Sequence, residues 1–102
     1  MDLNRQAAEK VMGWIAYQDA YIDGILPDRK ISDWKPDTDN NDLEMVIQKC
    51  IEDGRRIETD RSKGETYCCV YGDNLTYDYH AEDPNFNKAV LQAVISAYGG
   101  EE

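Results

Sequence analysis

The chain has 102 residues, 41% of them apolar, and carries 11 basic against 21 acidic side chains for a formal net charge of −10. That length fits one domain, 1–102, able to bury roughly two-thirds of its unfolded surface. The charge speaks against direct binding to a nucleic-acid backbone, which needs lysine and arginine to displace counterions, and against anionic membrane surfaces.

No run of apolar residues is long enough to span a bilayer. Met1-Asp2-Leu3-Asn4-Arg5 lacks the basic and apolar regions of a secretory signal. Three cysteines, two of them adjacent, suit a reducing cytoplasm better than a disulfide framework. The expected home is therefore a reducing cytoplasm.

Asp2 is a fitting cap for a first helix, since its carboxylate can accept the free amides of the first turn. Leu3, Ala7, Ala8, Val11, Trp14 and Ile15 then recur at spacings of three and four, one helical face. Gly13 sits inside that pattern, where a bend or a closely packed neighbour would explain it. The same helix can run on to Asp23 with Gly24 as its C-cap. Residues 16–37 form a long connection broken by Gly24, Pro27 and Pro36. Its Tyr17, Tyr21, Ile22, Ile25, Leu26, Ile31 and Trp34 predict packing of its own. Trp14 and Trp34 read as a structural clamp between the first helix and this connection.

The second helix follows Asp39, Asn40 and Asn41, each a possible cap, with Asn41 and Glu44 at capping-box spacing. Leu43, Val46, Ile47, Cys50 and Ile51 form its apolar stripe, and Gly54 ends it. The period then changes from 3.6 to 2. Residues 56–61 predict a strand, Ser62-Lys63-Gly64 a turn, and Thr66–Tyr71 a central strand that is apolar on both faces and covered on both sides. Gly72-Asp73-Asn74 supplies turn residues before Leu75, Tyr77 and Tyr79, which alternate with Thr76, Asp78 and His80. A three-residue loop sets Tyr67, Cys69 and Tyr71 on the face of Leu75 and Tyr77. A two-residue loop sets Cys68 and Val70 there instead. His80 falls opposite Thr66 in one register and near Tyr67 in the other.

Asp83-Pro84 predicts the start of a last helix, an acidic cap followed by proline in the first turn. Phe86, Ala89, Val90, Ala93, Val94 and Ala97 make its stripe, widened by Leu91, Ile95 and Tyr98, as suits a helix lying on a sheet. Gly99-Gly100 ends it, and 99–102 is a tail. The expected fold is α+β: a three-stranded antiparallel meander packed with three helices, order α-α-β-β-β-α.

Three motifs carry the resemblance to a known family: Ala8-Glu9-Lys10-Val11-Met12-Gly13-Trp14, Trp34-Lys35-Pro36-Asp37-Thr38-Asp39, and His80-Ala81-Glu82-Asp83-Pro84 leading into the alanine-rich last helix. In these the chain resembles the phage ABA-sandwich domain family of small phage and prophage proteins. The resemblance implies an α-β-α layered sandwich and a mobile-element origin. It brings no catalytic residues, and the chain departs from the pattern between Trp14 and Trp34.

Residues 37–42 begin like a calcium loop, with oxygen ligands at alternate positions. Asp42 then replaces the turn glycine and Gln48 stands where a bidentate glutamate is needed, so helix capping is the better account. No metal ligands and no cofactor site are assigned. Cys68 and Cys69 point to opposite faces of a strand, and Cys50 lies on an apolar stripe, which suits small buried hydrophobes. His80, the only histidine, could pair with Cys68 or Cys69 in a small hydrolase or small-molecule binder, but no oxyanion hole or orienting group is signalled. No catalytic residue is assigned and an enzyme is not expected.

The remaining chemistry is recognition. Tyr17, Asp19, Tyr21, Asp23, Asp28 and Asp33 along the connection, with Asp37, Asp39, Asp42 and Glu44, interleave acids and aromatics in a pattern suited to a basic partner. The expected function is a non-enzymatic phage or prophage accessory protein that binds and inhibits a basic host protein. A CRISPR effector or restriction nuclease blocked by nucleic-acid mimicry is the first such target. A structural or assembly protein of a phage is the remaining alternative.

Overall fold

The computed structural model describes residues 2–17, 20–22, 29–71 and 77–98, without the side chains of Tyr17, Tyr21, Ile22, Arg29, Tyr77, Asp78 and Tyr79. It is an α+β fold with three helices and a three-stranded antiparallel meander, in the expected order. To these it adds a small sheet inside the long connection.

Helix α1 (Leu3–Gln6) is capped by Asp2, whose Oδ1 accepts from the Asn4 amide at 2.9 Å. It widens into a π-helical turn over Ala7–Val11, where the Met12 amide donates to Ala7 O. The expected run through Ile15 stops at Gly13, whose φ of +74° lies in the left-handed region. A Cβ there would touch nothing within 4 Å, so glycine answers a conformational need and not a crowded one. Trp14 then donates back to Ala8 O at 2.9 Å, closing a helix-ending loop one residue wider than the Schellman turn of an α-helix.

Beyond the stop the chain is extended. Strands β1 (Ile15–Tyr17), β2 (Ala20–Ile22) and β3 (Arg29–Lys30) form a small antiparallel sheet in that order. Helical spacing thus misled at Ile15, which is a strand residue and 69% exposed. The proposed Gly24 cap lies outside the described residues.

Helix α2 (Asn40–Glu52) takes Asp39 as its cap; Asn41, considered for a capping box, lies inside the helix. It ends at Gly54 with the paired bonds of a Schellman turn, Gly54 N to Ile51 O and Arg55 N to Cys50 O. Leu43, Val46 and Cys50 are buried, whereas Ile51 is half exposed and off the core.

Strands β4 (Arg56–Ser62), β5 (Glu65–Tyr71) and β6 (Tyr77–Asp83) make the main sheet, with β5 central. Lys63 and Gly64, both with positive φ, form a two-residue turn between the Ser62 and Glu65 pair, the geometry that suits the twist of a hairpin. Neither anticipated register of the second hairpin occurs. Tyr71 pairs with Tyr77, Val70 with Tyr79, and Cys69 with His80, because a bulge shifts the register between Val70 and Tyr71. The turn residues Gly72-Asp73-Asn74 and Leu75 lie outside the described residues.

Helix α3 (Phe86–Ala97) is capped by Asn85, whose side chain accepts from the Lys88 amide at 3.0 Å. Asp83, expected as that cap, instead ends β6 and accepts from the Asn85 amide and from Gln92 Nε2. Ala89, Ala93 and Ala97 are buried, so small side chains let α3 lie close on β5 and β6. Helices α1 and α2 pack on α3 as well, leaving Lys88, Gln92 and Ser96 as its wetter stripe. The proposed stop at Gly99-Gly100 lies outside the described residues. No helix among the described residues is long and apolar enough to cross a membrane.

One segment joins all three helices. Trp34, almost fully buried, donates from Nε1 to Asn4 O at 2.7 Å and meets Trp14 edge-on, ring centroids 4.7 Å apart. The Lys35 amide donates to Asp42 Oδ2 at 2.9 Å. Asn87 Nδ2 on α3 donates to Pro36 O at 3.0 Å, and Asp37 and Asn4 exchange two hydrogen bonds of 3.0 Å. The two indoles form the clamp, with carboxylates and amides around it.

Candidate functional site

Asp37, Asp39 and Asp42 serve that clamp. Asp37 is bound to Asn4, Asp39 accepts from the Asn41 and Asp42 amides, and Asp42 is only 5% exposed. A carboxylate so enclosed stabilises the loop and presents little charge to a partner. Asp33 and Glu44 are exposed, on a 3-10 turn (Ile31–Asp33) and on α2. Tyr17 and Tyr21 lie in paired strands, but their side chains, like Asp19, Asp23 and Asp28, lie outside the described residues. The structure therefore brings Asp37, Asp39 and Asp42 together for folding.

A different surface is open. Helix α3 lies across β5 and β6, on the face where Thr66, Cys68 and Val70 are buried, and α2 touches β4. β5 is thus covered on one side and not, as its composition suggested, on both. Its other face carries Tyr67, 45% exposed, with Cys69 and Tyr71 half-buried. Register places β4 and β6 residues beside them in rows across the strands. Asp60, Tyr67 and Glu82 make one row; Glu58, Cys69 and His80 make the next.

Directly opposed residues on one face have Cβ atoms about 5 Å apart, so each row is a set of neighbours. His80 stacks on Tyr67 diagonally between the rows, centroids 5.6 Å apart and planes 18° from parallel. Glu58 pairs with Arg56 at 3.0 Å. The Tyr71 phenol is pushed up from its ordinary range by desolvation first, then by Glu58 and Cys69, which also hydrogen-bond it. Asp60 and Glu82 take no part in an ion pair or hydrogen bond among the described residues. Sequence reasoning passed over these two acids. The signal was the period-2 spacing of Glu58 and Asp60 beside that of Tyr67, Cys69 and Tyr71.

The strand separates the cysteines as expected, which removes Cys68 from any pairing with His80. Cys68 faces the core, and desolvation pushes its thiol from 9.0 up to about 12. Desolvation likewise raises the Cys50 thiol to about 11, against the opposing charge of Arg55. Cys69 lies across from His80 on the open face. No group of three His, Cys, Asp or Glu side chains among the described residues is arranged to hold a metal ion.

The cysteines give a direct test of this placement. At pH 8 a disulfide reagent should label Cys69 in the native protein and all three thiols in urea, since thiolate fraction and access both set the rate. Raised folded pKa values also fix the alkaline response. Below pH 9.0 the thiols are protonated in both states; above it the unfolded chain loses protons first. Stability should therefore fall between pH 9 and about 12, and Cys68→Val should flatten that fall in urea titrations. A native protein in which Cys68 reacts as fast as Cys69 would contradict the placement.

No protein-family model, no curated protein and no solved structure matches the chain.

Proposed function

We propose that the chain is a non-catalytic binding protein that docks a basic protein surface on the open face of its main sheet. The setting that fits its phage-like motifs is a phage or prophage accessory protein acting in the bacterial cytoplasm. There it blocks a basic host protein, with a nucleic-acid-handling defence enzyme as the first target to try. The observation that carries the reading is the uncovered face itself: an exposed tyrosine flanked by two carboxylates that are in no ion pair among the described residues. A net charge of −10 adds long-range attraction for a basic partner and repulsion of nucleic acid.

Steering by charge has a salt signature, because exposed charges are screened over about 10 Å at 0.1 M ionic strength. Captured from bacterial lysate on the immobilised protein, the partner should be held at about 50 mM salt and mostly released by about 500 mM. Retention unchanged across that range would overturn the charge-steered reading.

A further inference from the structure

We propose that the Asp60–Tyr67–Glu82 row is a seat for one arginine side chain of the partner. The inference rests on the basic-partner reading above and names the chemistry that the face selects. Tyr67 has a directly opposed carboxylate on each side, Asp60 on β4 and Glu82 on β6. The two backbones lie two strand spacings apart, about 9.5 Å. A guanidinium set over the central ring can direct N–H donors to both carboxylates at about 2.8 Å. It also gains attraction from the ring's electron-rich face.

His80 covers one side of the Tyr67 ring, and nearly half of the tyrosine remains exposed. That stack fixes the ring against His80 before the partner arrives, which lowers the ordering cost of binding. A neighbouring acid that was already neutralised would add little. Glu58 is so paired, with Arg56, whereas Asp60 and Glu82 are in no ion pair among the described residues. Lysine fits the row less well. Its ammonium is a compact, strongly hydrated point charge without a planar fork, so it cannot stack and bridge both acids at once.

The test is a titration of the full chain, labelled with nitrogen-15, with hexa-arginine and separately with hexa-lysine at low salt. Hexa-arginine should shift the amides of Asp60, Tyr67, His80 and Glu82 and bind about fivefold tighter than hexa-lysine. Tyr67→Leu should remove that preference, and Asp60→Asn with Glu82→Gln should weaken both peptides. Tyr67 is exposed, so a retained native spectrum identifies each loss as one of binding. Equal binding of the two peptides at this face would overturn the arginine seat and leave the basic-partner reading standing. Shifts confined to Asp33, Glu44 and other acids away from the sheet would overturn both. A single-stranded oligonucleotide should move none of these signals, and a shift at Tyr67 would reassign the ring to base stacking.

Discussion

Trp34→Ala should lower the free energy of unfolding by about 3–5 kcal/mol, the cost of emptying a buried aromatic site. The indole is 2% exposed, lies edge-on to Trp14 and donates to Asn4 O. Its removal leaves a cavity where α1 and the loop before α2 meet. The adjacent Lys35, Pro36 and Asp37 bind Asp42, Asn87 and Asn4, so the loop cannot simply collapse into the space. For a domain whose total stability is on the order of 5–15 kcal/mol, that loss is large. Trp34→Phe keeps most of the apolar contact and should cost less, about 1–2 kcal/mol beyond the shape change for the lost N–H donor. Urea titrations with unchanged m-values would measure both. A Trp34→Ala loss below about 1 kcal/mol would mean that the clamp does not hold the fold.

Leu91→Ala should cost about 2–5 kcal/mol, toward the upper end. The spread in such substitutions depends on how far the surroundings can close the cavity. Leu91 is fully buried on α3, the helix touched by the sheet, by α1 and by α2, so movement on one side is resisted on the other. Ile51→Ala is the informative contrast. That side chain is half exposed although it falls on the same helical spacing as Val46 and Cys50, and its loss should cost well under about 1 kcal/mol. Similar losses at the two positions would contradict the burial described for α2 and α3.

Helix α3 was legible because its alanines and branched residues repeat over three turns, and α2 because its acids, stripe and terminal glycine agree. The meander followed from the change of period after Gly54. The stretch after Gly13 misled because Trp14 and Ile15 continue a helical spacing by coincidence. A left-handed glycine there ends the helix, and strand-favouring isoleucine and tyrosine follow it. The register of β5 and β6 depends on a bulge, which inserts a residue without any local sequence mark.

The site was harder to read than the fold. Asp37, Asp39 and Asp42 look like surface charge in a linear chain, yet the distant Asn4 and the Lys35 amide in the preceding loop turn two of them inward. Coverage of a sheet face is also decided by packing elsewhere. Tyr67, Cys69 and Tyr71 are apolar enough for a buried face, but α3, on which α1 and α2 pack, covers the other side. Asp60 and Glu82 become neighbours of Tyr67 only through cross-strand pairing.

The most direct measurement compares partner retention by two sets of exposed substitutions in the same low-salt capture. One set is Asp60→Asn, Tyr67→Leu and Glu82→Gln together on the open sheet face; the other is Asp33→Asn with Glu44→Gln. Docking on the sheet requires that the first set lose the partner while the second retains it, with both proteins melting like the wild type. Retention by the sheet-face variant, or loss confined to the Asp33 and Glu44 variant, would contradict docking on this face.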